Sequence, residues 1–167
     1  MFLSFKWYKS IHQGGEGMKD YEISKETLAV IPIGEKKSKV LEKDCSFIIN
    51  QTPNHIMDDS CRYYGSSING RQKGTTDLTG ISYKAPIIVQ EEGNIIFFPT
   101  TSPRLKKCCW VSLNNIESYY YDFEKKTCVI IFDNLEKIEL DVSFCVLNNQ
   151  ILKSHRLESI LNKRKEK

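Results

Sequence analysis

Seven times between residues 81 and 140 the chain repeats one short pattern: three to eight apolar, β-branched or aromatic residues, then a break. The runs are residues 81–83, 87–89, 95–98, 108–113, 116–123, 127–132 and 137–140. Pro86, Glu92-Gly93-Asn94, residues 124–126 and Asp133-Asn134 stand between them. Strands need only about four to eight residues, whereas a helix needs ten or more to bury one face. Strands joined by turns this short run antiparallel, because a parallel return requires a crossover of a dozen residues or more. The stretch therefore predicts an antiparallel meander, with Pro86 favouring a sheet edge for the strand it precedes.

Upstream, Leu28-Ala29-Val30-Ile31 before Pro32 reads as a buried strand and residues 45–49 as another against the same core. Pro53 suits a first helical turn, and Ile56, Met57 and Tyr63 or Tyr64 fit a short helix over 54–64. Gly65, Gly70, Gly74 and Gly80 mark the next segment as rich in turns. Toward the end, Leu147, Ile151, Leu157 and Leu161 share one arc of a helical wheel, and Lys153, Arg156, Lys163, Arg164 and Lys167 share another. The expected fold is α+β: a single domain over 18–167 with a largely antiparallel sheet, the short helix and a C-terminal amphipathic helix. A chain of 167 residues with 40% hydrophobic content has one sizeable core and little left for a second domain. Residues 1–17 look unlike the rest. Gly14, Gly15, Glu16 and Gly17 directly before Met18 suggest either an upstream purine-rich signal read as protein, with Met18 the functional start, or a flexible arm.

The net charge of +3 is mild, but it is unevenly placed. Residues 60–113 hold seven Lys or Arg against three acids, and residues 143–167 hold six against two; the intervening 114–142 hold three against seven. Two basic segments alternating with acidic ones let a folded chain present a positive face, though random surface scatter accounts for the same numbers as well. No stretch reaches the roughly 18 apolar residues of a membrane span, so the expected location is the cytoplasm. The six cysteines form no CxxC pair, and the three histidines lie far from any cysteine pair, so neither a metal site nor a cofactor is expected. His55, Asp58 and Cys61 follow each other on the short helix without forming a recognisable triad, which leaves packing as their better account and no catalytic residue to name. Of the adjacent Cys108 and Cys109, strand alternation predicts one buried and one exposed thiol.

The most distinctive segment runs over 61–75, Cys-Arg-Tyr-Tyr-Gly-Ser-Ser-Ile-Asn-Gly-Arg-Gln-Lys-Gly-Thr. Glycines allow close backbone approach, and Arg and Lys neutralise phosphates or enter a narrow A·T-rich minor groove. The GxxxxGK[ST] order of a nucleotide-phosphate loop is missing, and a plain connecting loop is the alternative. Tyr63, Tyr64 and Trp110 fit core positions better than base-stacking ones.

Glu42-Lys43-Asp44-Cys45, Asp59-Ser60-Cys61-Arg62 and the following Tyr-Tyr-Gly-Ser-Ser-x-x-Gly-Arg resemble the core of the bacterial competence transcription factors (ComK). So do Ile81-Ser82-Tyr83-Lys84-Ala85-Pro86-Ile87, Phe97-Phe98-Pro99-Thr100-Thr101-Ser102-Pro103 and Trp110-Val111-Ser112. The resemblance implies an activator of DNA-uptake genes that binds paired A·T-rich boxes of double-stranded DNA, largely through the minor groove, as a homodimer or dimer of dimers. The alternative is a family-like protein-interaction regulator without independent activation. Better-known members continue beyond the position of Lys167 with a tail that bears on full activity and on recognition by a proteolytic adaptor, so those properties are not carried over. The cations expected at DNA are Arg62, Arg71, Lys73 and Lys84, then Arg104, Lys106 and Lys107 as backbone-positioning groups. A buried Arg62 paired with Asp58 or Asp59 would instead be structural.

Overall fold

The computed structural model describes residues 20–167; the expectations for residues 1–17 lie outside them. Three strands open the described chain, β1 (Thr27–Ile33), β2 (Lys37–Glu42) and β3 (Ser46–Ile49), followed by helices α1 (Pro53–Tyr63) and α2 (Ile68–Thr79). Six strands follow, β4 (Ile87–Gln90), β5 (Ile95–Pro99), β6 (Trp110–Ser112), β7 (Ile116–Asp122), β8 (Thr127–Phe132) and β9 (Lys137–Leu140), before the long helix α3 (Phe144–Lys165). The fold is α+β, with every strand pairing antiparallel.

The expected meander divides in two. A six-stranded sheet has the order β3-β2-β1-β6-β5-β4, and a separate three-stranded sheet the order β7-β8-β9. Strand β7 does not continue from β6 because the free edge of β6 is already taken by β1, through Ala29↔Val111 and Val30↔Trp110. Buried Asn115 fixes the passage between the sheets. Its amide donates to the carbonyls of Lys25 and Thr27 at 3.2 Å and to Ser112 Oγ at 3.0 Å, while its own carbonyl accepts from Asp133 N. Strand β4, after Pro86, is an edge strand.

Alternation along the strands sends side chains to both faces of the large sheet, and both faces are covered. On one, Val30, Val40, Phe97 and Trp110 pack with Ile56, Met57 and Cys61 of α1. On the other, Leu28, Ile96, Phe98 and Val111 meet Ile130, Phe132 and Ile138 of the small sheet and Leu147, Ile151, Leu157 and Leu161 of α3. Those four positions are the stripe that the sequence places toward the core. The thiols depart from the alternation expected of them: Cys108 and Cys109 are both buried, Cys109 in the second core and Cys108 with its Sγ donating to Thr101 O at 3.6 Å. Loss of water pushes the Cys109 thiol up to about 11.

Helix α2 occupies the segment that its glycines mark as turns. Its ends are made by side chains and by Gly80: Ser67 accepts from Gly70 N at the start, and Gly80 closes the other end in the left-handed region at φ 76°. Ile68 joins the first core and Leu78 the second, so α2 wraps the β4 side of the sheet. Thr75 Oγ1 donates to Pro86 O at 2.7 Å and seals that edge. Residues 81–83, expected as a strand, are not one. Thr79 Oγ1 accepts from Ile81 N and Thr76 Oγ1 donates to Ile81 O, so both backbone groups of Ile81 are already spent on α2. The unpredicted strand β2 has apolar residues only at Val40 and Leu41; its third inward position is Ser38, whose hydroxyl bonds Gln51 O.

Between α1 and α2 the four-residue turn 64–67 is held by Asp58. Its carboxylate accepts Ile68 N at 2.9 Å and pairs with Arg62 Nε at 2.7 Å, and these two contacts hold its pKa below the ordinary carboxylate range. Gly65 adopts φ 83°, and Ser66 N donates to Cys61 O.

Two outcomes follow for stability. Leu157 and Leu161 are buried in the second core. Replacing each by Ala is expected to cost about 2 to 5 kcal/mol, measured by denaturant unfolding; an unchanged midpoint in the double variant would refute the docking of α3. Asp58→Ala should cost about 1 to 3 kcal/mol at neutral pH. Since folding lowers the Asp58 pKa, its contribution is complete above the ordinary value of about 3.9 and is lost as pH falls from there through the lower folded-state value. The gap in melting temperature between wild type and Asp58→Ala should therefore narrow as pH falls below about 4; a gap independent of pH would show that Asp58 does not act as an anion.

Candidate nucleic-acid interface

A DNA-binding face requires the two basic segments to meet, and they do so where the loop after α2 reaches the side of α3. Gln150 of α3, itself buried, donates through Nε2 to Lys84 O at 2.9 Å and to Pro99 O at 2.7 Å. That amide holds Lys84 in the left-handed region at φ 48°, a conformation that side chains other than Gly rarely adopt. One turn along α3, Lys153 Nζ donates to Tyr83 O at 2.8 Å. The ammonium groups of Lys84 and Lys153 then lie 5.2 Å and 5.8 Å from the centroid of the same ring, that of Tyr83, which is 66% exposed.

The cluster is charged and uncompensated. Among the described residues no carboxylate pairs with Lys84 or Lys153. Partial loss of water and the neighbouring Lys84 charge both lower the pKa of Lys153. Two like charges held together without an acid favour any anion that approaches. Exposed Arg156, three residues further along α3, extends the basic surface.

The other expected cations divide by environment. Lys73 is exposed on α2 and meets Asp77 one turn on, at 3.3 Å, a contact that holds little energy in water. Arg62 is paired with Asp58 as the structural alternative supposes, yet it is exposed rather than buried. Arg71 turns inward: its side chain is 14% exposed, Nη1 meets Glu91 at 2.9 Å and Nη2 donates to Tyr64 O at 3.3 Å. Its guanidinium joins the helix turn to the end of β4, the position of a brace. Arg104, Lys106 and Lys107 stand exposed on the loop between β5 and β6. Lys106 reaches Glu35 in the β1–β2 turn at 2.7 Å, and Asn54 at the start of α1 donates to Pro103 O. The sequence picks out Lys84, and Lys153 as one member of a basic arc on the last helix, but not their meeting, because Tyr83 reads as a strand residue and Lys153 lies 69 positions away from Lys84.

The aromatic residues of the same motif separate as well. Trp110 is buried, with Nε1 donating to Asn54 Oδ1, Tyr64 is half-buried, and Tyr63 is exposed with its ring edge against Tyr64. Burial pushes the Cys61 thiol up to about 11, which keeps it protonated at neutral pH beside Asp58. Among the described residues, no group of three or more His, Cys, Asp or Glu side chains is placed to hold a metal ion, and no helix is long and apolar enough to cross a membrane.

Comparison with known proteins agrees with the motifs over nearly the whole chain. The family model described as ComK protein matches residues 18–166. A competence transcription factor from Bacillus subtilis (strain 168) is 36% identical over 140 residues, which cover 82% of this chain and 72% of that protein. No solved structure matches the chain. With the model spanning all the elements from β1 to α3, the chain belongs to the ComK family.

Proposed function

We propose that the chain is a competence transcription factor that activates DNA-uptake genes by binding double-stranded DNA directly. The observation that carries this reading is the pair Lys84 and Lys153 on one exposed tyrosine, two cations brought from the two basic segments and left without an acid. Arg156 and Lys73 extend the surface, Arg62 and the cations Arg104, Lys106 and Lys107 contact phosphates at its margins, and Arg71 positions the α1–α2 unit. Paired A·T-rich boxes are the expected target, since their narrow minor groove concentrates negative potential that Lys and Arg side chains can enter. Two boxes call for a homodimer or a dimer of dimers.

A second reading, a protein-interaction regulator, is favoured by an aromatic concavity of about 600 Å³ on β7 and the start of α3. Tyr119, Tyr121, Phe123 and Phe144 line it, Phe123 being 84% exposed. An exposed patch of this kind marks a protein contact, and assembly on paired boxes would use one. Direct DNA binding distinguishes the two readings.

Titration of an A·T-rich paired-box duplex and a G·C-rich control, each at several salt concentrations, tests the proposal. Wild type should prefer the A·T-rich duplex. Lys84→Ala and Lys153→Ala, melting as wild type does, should each weaken binding and reduce the slope of log affinity against log salt by roughly one. A folded double variant with unchanged affinity and slope would remove the face from consideration, and a wild type that binds neither duplex would favour the interaction reading.

A further inference from the structure

We propose that the cleft between α2 and α3, centred on Gly74 and Arg164, receives a stretch of the sugar-phosphate backbone of duplex DNA, a contact separate from the Tyr83 lysines. The inference rests on the DNA-binding reading and adds a second point of attachment to it. The cleft has a volume of about 360 Å³; Ser66, Gly70 and Gly74 form its α2 side, Leu161, Arg164 and Lys165 its α3 side.

The two glycines of α2 have different reasons for lacking a side chain. A Cβ at Gly70 would stand 2.8 Å from Ser66 Oγ and 3.3 Å from Ser67 Oγ, the hydroxyl that caps the helix, so the fold itself requires Gly there. At Gly74 a Cβ would meet nothing within 4 Å, and the residue has ordinary helical backbone angles. Gly in a helix interior is unfavourable relative to Ala, and nothing inside the chain calls for it at this position. Its effect is outward: it leaves the α2 side of the cleft bare, open to close approach by a partner.

The charges around that bare surface select an anion. Arg164 is exposed and, among the described residues, has no acidic partner. Lys165 Nζ donates to Glu91 O at 2.6 Å and Asn94 Oδ1 at 2.7 Å, neutral acceptors that hold the ammonium in place and leave its charge uncompensated. The acid of the cleft, Glu91, is already taken by Arg71. Lys153 and Arg164 lie eleven residues apart, about three turns and therefore on nearly one line of α3. That separation is roughly 16 Å, the axial rise of about five base pairs of duplex. A continuous polyanion matches such a line, where a small anion would use only one end of it.

The test is a fluorescence-anisotropy titration of the full chain, wild type, Gly74→Gln and Arg164→Gln, with the A·T-rich and G·C-rich duplexes, alongside thermal melting with and without inorganic phosphate. Gly74→Gln should melt at or above the wild-type temperature, because Gln is the better helix former, yet bind both duplexes at least fivefold more weakly. Arg164→Gln, an exposed change, should melt as wild type does, lose affinity for both duplexes and reduce the salt slope by roughly one. Variants that bind within twofold of wild type would overturn the inference while the Tyr83 face stands. So would a Gly74→Gln protein that melts well below wild type, which would make Gly74 a requirement of the fold. Stabilisation of wild type by phosphate that is lost in Gly74→Gln, with DNA affinity unchanged, would assign the cleft to a small anion and overturn it too. Wild-type protein that binds neither duplex overturns the cleft and the DNA reading together.

Discussion

Two register positions join the halves of this protein. The hairpins β1–β3 and the run β4–β6 become one sheet only where Ala29 meets Val111 and Val30 meets Trp110. The alternation of that joint also decides which core each side chain enters. Ala29 and Val111 face the core shared with α3 and the small sheet; Val30 and Trp110 face the core under α1. A slip by one residue would exchange the two faces and put Trp110, the largest fully buried side chain among the described residues, on the wrong side. The joint is anchored on one flank by Trp110 Nε1 bonding Asn54 and on the other by Asn115 gripping the strand that leads into β1. Because β1 takes the edge of β6, the chain leaving β6 must begin a second sheet, and the two-layer cover of the first sheet follows from that exclusion.

Much of this was legible in the sequence where the pattern is local. The turns at Glu92-Gly93-Asn94 and residues 124–126 place Asn94 and Lys126 at positive φ, as hairpin turns require, and the strands on either side lie within a residue or two of their apolar runs. Besides β2, three features were not legible, for separate physical reasons. Helix α2 has two glycines and a poor apolar stripe, so intrinsic propensity argues against it; its caps and its packing on β4 overrule that. Residues 81–83 look β-prone, but the threonines of the preceding helix capture the backbone first. The break between the sheets depends on pairing between residues 80 and 82 positions apart, which no window along the chain can see.

The candidate site shows the same division between local and distant information. A mixture of Gly, Arg and Lys over 61–75 marks the segment as unusual, and the structure makes it the end of α1, the turn and the first two thirds of α2. Within it, Arg71 and Arg62 hold the turn to its neighbours through Glu91, Tyr64 and Asp58. Lys84 was visible only as one cation among seven in its basic segment. What distinguishes it, a strained backbone and a second lysine at the same tyrosine, arises from α3 and has no trace in the local sequence.

Helix α3 therefore has two duties that its sequence interleaves. Leu147, Ile151, Leu157 and Leu161 fasten it to the second core, while Lys153, Arg156 and Arg164 stay near or at the surface. Gln150 stands between these roles. It is buried among the apolar residues, and its amide is spent on the carbonyls that shape the Lys84 loop and the end of β5. A buried amide without those partners would be costly, so its bonds lock the loop to the helix. The positions of the two lysines at Tyr83 are thus set from the interior: any change that shifts α3 on its core also moves Lys153 relative to Lys84, and the charge pattern at this surface is as rigid as the core beneath it.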